Sequence, residues 1–197
     1  MSTQLDLTHH LLIAMPAMGD AYFAKSVVYV LQHDADGSFG LIINKPVAMT
    51  LKDLVSSDVL DQANELEGQV SLGDNQDAPV FFGGPVSKEQ GFVLHGKPEG
   101  WQNTLSNGAL AVTTSIDILQ AMTLSGQRPV PDHKLITVGY SGWGPDQLAY
   151  EMRQNAWLSV EADNDIVFHS DPYQKYDLAL KKLGIDPAMM SSAAGRA

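Results

Sequence analysis

The run Lys134-Leu135-Ile136-Thr137-Val138-Gly139-Tyr140-Ser141-Gly142-Trp143-Gly144-Pro145 constrains this chain more than any other. An apolar, β-branched stretch reaches Val138 and then meets three glycines in six positions, Gly139, Gly142 and Gly144. Glycine supplies backbone torsions that other residues avoid. Pro145 suits the first position of a helix, where its missing N–H costs nothing. The pattern predicts a strand to Val138, a glycine-rich turn, and a helix from Pro145 to about Gln154 with Leu148 and Met152 on one face.

Elsewhere strand and helix signals alternate irregularly. Ser26–Gln32 and Phe39–Ile43 are rich in β-branched and aromatic residues, and His33-Asp34-Ala35-Asp36-Gly37-Ser38 between them predicts a hairpin. Thr50 and Asp53 have the spacing of a capping box, as do Thr114 and Asp117, the second opening a helix through Met122. Val80–Phe82, Gly91–His95, Ala109–Val112, Trp157–Val160 and Asp165–Phe168 read as further strands, the last two joined at Asp163-Asn164. A final helix follows Asp171-Pro172-Tyr173-Gln174, with Tyr176, Ala179, Leu180 and Leu183 facing inward and Gly184 at its end. Residues 61–79 are expected to form a mobile surface loop, and 1–6 and 189–197 to be frayed. No repeat or linker divides the chain. The expectation is an α+β fold, one domain over 1–197, with several coiled, mainly antiparallel or mixed sheets and a few short helices.

Charge excludes more than length does. Lys and Arg total 12 against 23 Asp and Glu, a net charge of −11, and the lysines are dispersed with Lys181-Lys182 the only adjacent pair. Nucleic-acid affinity rests on Lys and Arg contacts to phosphate, so direct DNA or RNA binding is not expected. The same field repels an anionic membrane surface, and no apolar run approaches the roughly 20 residues needed to span a bilayer. The absence of cysteine rules out disulfides, thiolate metal sites and a thiol nucleophile. With no signal-peptide pattern at Met1-Ser2-Thr3-Gln4-Leu5-Asp6, a cytoplasmic location is the economical expectation.

The chemical candidates are few. Gly139-Tyr140-Ser141-Gly142-Trp143 is close to a Gly-x-Ser-x-Gly nucleophile elbow, but Trp143 stands where the last glycine belongs. An anion site at the start of the Pro145 helix lacks the lysine and hydroxyl of a phosphate loop and carries Asp146 instead. The six histidines show no ligand spacing, and Asp34-Ala35-Asp36-Gly37 is only a fragment of a calcium loop, so neither metal nor cofactor is expected. What remains is a set of strand-ending corners: Asn44-Lys45-Pro46, Gly83-Gly84-Pro85 and Tyr140 with Gly142-Trp143-Gly144. They are either plain tight turns or, if they converge, a cleft with backbone donors, an amide, a cation and an indole. Trp143 is then either a surface anchor or a core residue that pins its turn.

Across these same corners the sequence becomes familiar. His10-Leu11-Leu12-Ile13-Ala14-Met15-Pro16, Phe39-Gly40-Leu41-Ile42-Ile43-Asn44-Lys45-Pro46, Phe82-Gly83-Gly84-Pro85-Val86, Gly91-Phe92-Val93-Leu94-His95 and Gly139-Tyr140-Ser141-Gly142-Trp143-Gly144 closely resemble motifs of the YqgE/AlgH family. Thr113-Thr114-Ser115 with Asp117, Asn155-Ala156-Trp157-Leu158 and Leu183-Gly184-Ile185-Asp186 also match, in order, over nearly the whole chain. Many relatives read Gly-Ala-Met-Gly where this chain has Gly37-Ser38-Phe39-Gly40. The resemblance implies a cytosolic bacterial protein with an α+β fold of several coiled sheets. It brings no activity or catalytic residues, because the family is largely uncharacterised; some members carry the label of transcriptional regulator.

The residues favour a non-enzymatic binding or regulatory module that acts through a protein partner or a small ligand. A hydrolase at the glycine-rich cleft is the alternative, followed by a regulator contacting DNA directly. With a net charge of −11 and no basic face, the protein is expected not to bind duplex DNA near physiological salt. Fluorescence anisotropy with genomic fragments checks this, and saturable submicromolar binding that weakens steeply with salt would contradict it.

Overall fold

The computed structural model describes residues 6–55, 75–96, 100–123 and 129–193. Among these residues ten strands run β1 His10–Ala14, β2 Val27–Asp34, β3 Gly37–Ile42, β4 Pro46–Thr50, β5 Pro79–Phe82, β6 Val86–His95, β7 Thr104–Ser106, β8 Ala111–Thr113, β9 Lys134–Trp143 and β10 Trp157–Glu161. The helices are α1 Leu51–Leu54, α2 Ile116–Thr123, α3 Gln147–Arg153, α4 Lys175–Lys182 and α5 Pro187–Ala193, with a π-helical turn at Asp165–His169. All strands belong to one sheet, ordered β10-β1-β2-β3-β9-β6-β8-β7, with β4 and β5 branching from β9. Every pairing is antiparallel except β5 with β9. The fold is α+β, as expected. No helix among the described residues is long and apolar enough to cross a membrane.

The sheet is covered on both faces, and β2 shows why its sequence does not alternate. Val27, Tyr29 and Leu31 enter one core with Leu11, Leu41, Leu94, Val167 and Leu180. Val28 and Val30 enter a second with Leu12, Ile42, Trp143, Leu148 and Trp157. Successive side chains leave opposite faces of a strand, so two buried faces demand a continuous apolar run. A third cluster packs α1 and α2 (Leu51, Ile118, Met122) on Val80, Val93 and Ile136.

The main correction concerns β9. The strand does not stop at Val138; it continues through the glycines to Trp143, and the helix starts at Gln147 with Pro145 outside it. β9 serves three partners. β6 lines one edge from Lys134 to Tyr140, while the other edge is held by β5 at Ile136–Val138 and then by β3 at Ser141–Trp143. The handover takes place at glycines. Gly139 has φ +72°, and a Cβ there would lie 2.4 Å from the Gly84 carbonyl oxygen. A Cβ on Gly84 would lie 2.2 Å from the Tyr140 carbonyl, and one on Gly83 2.2 Å from the Gly139 carbonyl oxygen. The glycines therefore permit close crossing of backbones rather than a turn.

A second correction is Asp165–Phe168, expected as a strand and found as the π-helical turn. Asp163 Oδ1 accepts from the Asp165 N–H at 2.9 Å, and the Ser170 N–H closes the turn on the Asp165 carbonyl at 2.9 Å. A three-residue apolar run satisfies either conformation, and burial of Ile166 and Val167 decides it. Thr50 and Asp53 do form a capping box. At the start of α2, Ser115 rather than Thr114 reaches the Asp117 carboxylate. The expected loop at 61–79 lies outside the described residues as far as 74, as do 1–5 and 194–197; Met189–Ala193 belong to α5.

Because Gly139 combines positive φ with a carbonyl where its Cβ would sit, Gly139→Ala is expected to cost about 3 kcal/mol or more. Gly19, with nothing within 4 Å, is the control, and Gly19→Ala should shift stability by less than about 0.5 kcal/mol. Urea denaturation reads both; equal midpoints would contradict the crossing argument.

Candidate functional site

The Asn44-Lys45-Pro46 and Gly83-Gly84-Pro85 corners meet β9 through their backbones at the end of β5. The Phe82 N–H donates to the Lys45 carbonyl at 2.8 Å, the Gly83 N–H to the Val138 carbonyl at 2.8 Å, and the Ile42 N–H to the Gly83 carbonyl at 2.9 Å. Ser141 Oγ donates to that same Gly83 oxygen at 3.0 Å. Their side chains then part. Asn44, Lys45 and Pro46 line a groove of about 1100 Å3. Tyr140, Gly142 and Trp143 border a different hollow of about 450 Å3 beside Asp34, Asp36 and Phe39. Gly83 and Gly84 are buried, and the Gly144 N–H donates to Gln147 Oε1 at 3.0 Å. Pro85 and Gly144 line neither depression.

Trp143 is a core residue. It is 5% exposed, and its Nε1–H donates to Glu151 Oε2 at 3.0 Å. Trp157 donates to the same oxygen at 2.8 Å, the two indoles meeting edge-to-face at 6.0 Å. Gln147 Nε2 donates to the other Glu151 oxygen at 3.0 Å. One carboxylate on α3 thus joins the end of β9 to the start of β10. Ser141 is fully buried in mid-strand, so it has neither the exposed turn nor the base that a serine nucleophile needs.

The groove has two walls. One carries Met15 and Pro16 after β1, Ala24 and Lys25 before β2, and the Asn44-Lys45-Pro46 corner. The other carries Tyr173, Tyr176, Asp177, Pro187, Ala188 and Met190 from α4, α5 and their approach. Asn44 explains why an amide stands at the corner. Its Oδ1 accepts from the Val27 N–H at 2.8 Å, and its Nδ2 donates to the Lys25 carbonyl at 2.9 Å, clamping the loop before β2. Lys45 Nζ donates to the Tyr22 carbonyl at 2.6 Å; burial pulls its pKa down, and the Asp20 charge partly opposes this. The Tyr176 hydroxyl donates to the Ala14 carbonyl at 2.6 Å, tying the helical wall to β1; burial raises its pKa, and Asp177 adds to the rise.

Sequence reasoning missed the helical wall. Tyr176 reads as an inward-facing core residue, and no local signal links Tyr173 or Asp177 to a corner more than a hundred residues earlier. Two buried ionisable groups stand apart from the groove. Lys175 is 1% exposed, donates to the Val167 carbonyl at 2.6 Å, and is held down to about 8 by burial. His95 bonds Thr113 Oγ1 at 2.8 Å and the Gly96 carbonyl at 2.7 Å, and burial lowers its pKa too. Among the described residues no cluster of three or more histidines and carboxylates is placed to hold a metal. The groove's lining offers two lysines, one carboxylate and two tyrosines beside apolar surface.

Loss of Trp143 removes a buried indole, so Trp143→Ala is expected to cost about 3–5 kcal/mol. Trp143→Phe keeps most of the volume but strips the N–H, costing about 1–2 kcal/mol. Chemical denaturation measures both, and a loss below about 1 kcal/mol in the alanine variant would return Trp143 to a surface role.

Comparisons with known proteins agree with one another. A family profile described as AlgH-like matches residues 11–188. A UPF0301 protein of Bordetella petrii is 44% identical over 98% of this chain and 90% of its own. The solution structure of the AlgH protein from Pseudomonas aeruginosa superposes with a TM-score of 0.74 at 37% identity, covering 100% of this chain and 99% of that one. The crystal structure of a Corynebacterium diphtheriae protein shares the fold at a TM-score of 0.58 and 19% identity, over 90% and 88% of the two chains.

Proposed function

The chain belongs to the AlgH-like family, and from that premise we propose that it is a non-enzymatic cytoplasmic binding module whose site is the groove between the Asn44-Lys45-Pro46 corner and the C-terminal helices. The observation that carries this is the groove itself. Its volume of about 1100 Å3 is at the upper end of small-molecule sites. Its lining joins apolar surface (Met15, Pro16, Pro46, Pro187, Met190) to a few polar groups, the composition that such sites share. Tyr173, which lines the groove, is 80% exposed and offers its ring to a ligand there.

The hydrolase reading loses support because Ser141 is buried and committed to Gly83. A DNA-binding reading has the net charge of −11 against it. A regulatory role through a bound small molecule meets neither objection.

Two-dimensional NMR of the full chain against a library of small organic fragments tests the proposal. Shifts are expected to gather on Met15, Lys25, Lys45, Tyr173 and Met190, and Ala24→Trp, which fills the groove, is expected to abolish them. Shifts centred on the hollow at Tyr140 and Gly142, or undiminished in Ala24→Trp, would overturn it.

A further inference from the structure

We infer that the groove selects a free small molecule with an anionic head (carboxylate, sulfonate or phosphate) on an apolar or aromatic body, because Lys25 and Lys45 line it together with apolar and tyrosine side chains. The inference rests on the groove being the binding site.

In a chain of net charge −11 with nine lysines, two of them, Lys45 and Lys88, converge on Tyr22 in the loop before β2. Lys45 Nζ reaches the Tyr22 carbonyl at 2.6 Å. Lys88 Nζ reaches the Tyr22 hydroxyl at 3.0 Å and lies 4.5 Å above that ring. Lys25 lines the groove three residues further on, its carbonyl held by Asn44. Tyr22 itself stacks on Phe82 at 5.8 Å, so the strand-end corner fixes the loop that gathers the cations.

Lys45 is the member built for a ligand. An ammonium has three N–H donors, and among the described residues one is engaged, by the Tyr22 carbonyl. Burial disfavours its charge, yet among the described residues no carboxylate lies within 4.0 Å of it. Asp20 acts on it only at longer range, because its Oδ1 is engaged by the N–H groups of Tyr22 and Phe23 at 2.7 and 3.1 Å. A half-buried cation with open donors gains most from an anion that arrives with its own apolar cover. The one carboxylate in the lining, Asp177, is carried by α4 and not by the segments that carry the lysines. That division by element sets the anion toward Lys45 and Lys25 and the body over Tyr173, Met190 and Pro187. An anionic lipid surface is excluded as the source, since the whole protein would be repelled from it.

The test is a fluorescence titration of the full chain with two dyes of one shape. Anilinonaphthalene sulfonate carries the anion, and N-phenylnaphthylamine is its neutral counterpart. The wild type is expected to bind the sulfonate saturably and more tightly than the neutral dye. Lys45→Met should raise the sulfonate Kd by about tenfold or more, the loss of a charge-assisted contact, with the neutral dye little changed. Asp177→Asn should leave sulfonate binding equal or tighter. Thermal melts verify folding, and Lys25→Met supplies the same comparison if Lys45→Met does not fold. If both dyes bind but neither lysine variant discriminates between them, the anion inference fails and the groove reading stands. If neither dye binds, or Ala24→Trp binds both as well as wild type does, the groove reading fails as well.

Discussion

One strand, β9, holds two halves of the sheet together by changing partners along one edge, from β5 to β3, while β6 stays on the other. Such an exchange forces three backbones into a space where side chains cannot fit. Gly83, Gly84 and Gly139 meet that demand, each with a carbonyl where a Cβ would be. The buried hydroxyl of Ser141 adds a hydrogen bond to the Gly83 carbonyl, which is already accepting from Ile42. The groove hangs from this crossing. It fixes where β5 ends, so it fixes the Lys45 carbonyl that Phe82 grips, and with it the corner that forms one wall of the groove.

Several polar groups inside the protein act as struts. Glu151 accepts from both Trp143 and Trp157, fastening α3 to strands that end far apart in the sheet order. Lys175 donates to the Val167 carbonyl and lies 5.5 Å over Phe81, so an ammonium steadies the π-helical turn against the core. Burying an ammonium on a single carbonyl costs free energy, as its lowered pKa reflects. What it secures is the position of α4, whose next turn carries Tyr176 and Asp177 into the groove wall. The Tyr176 hydroxyl on the Ala14 carbonyl then closes that wall on β1.

The relation between corners and groove follows from this arrangement. The Asn44-Lys45-Pro46 and Gly83-Gly84-Pro85 corners share a backbone junction with β9 at Val138–Ser141, while the side chains line two separate surfaces. Of the corner residues only Asn44, Lys45 and Pro46 line the groove, joined there by residues after β1, before β2 and from the last third of the chain. Trp143, the most conspicuous aromatic in the sequence, lies within the core, where the half-buried Glu151 carboxylate accepts its N–H.

Much was legible in the sequence by itself. The hairpin of β2 and β3, the capping box at Thr50, the strand cores and the α+β class all follow from local rules of periodicity, turn chemistry and capping. These rules act between residues a few positions apart, and the chain carries them wherever it goes. The tertiary structure alone decided three things: that Gly139 marks a crossing and not a turn, that Ile166 and Val167 coil instead of extending, and that α4 and α5 cross to the Asn44-Lys45-Pro46 corner. A glycine reports only that space is scarce or torsion unusual; whether a turn or a second backbone is the cause depends on what arrives from elsewhere. The groove has the same origin, since its two walls are joined by contacts such as Tyr176 to Ala14, 162 positions apart, and no local pattern encodes a meeting at that separation.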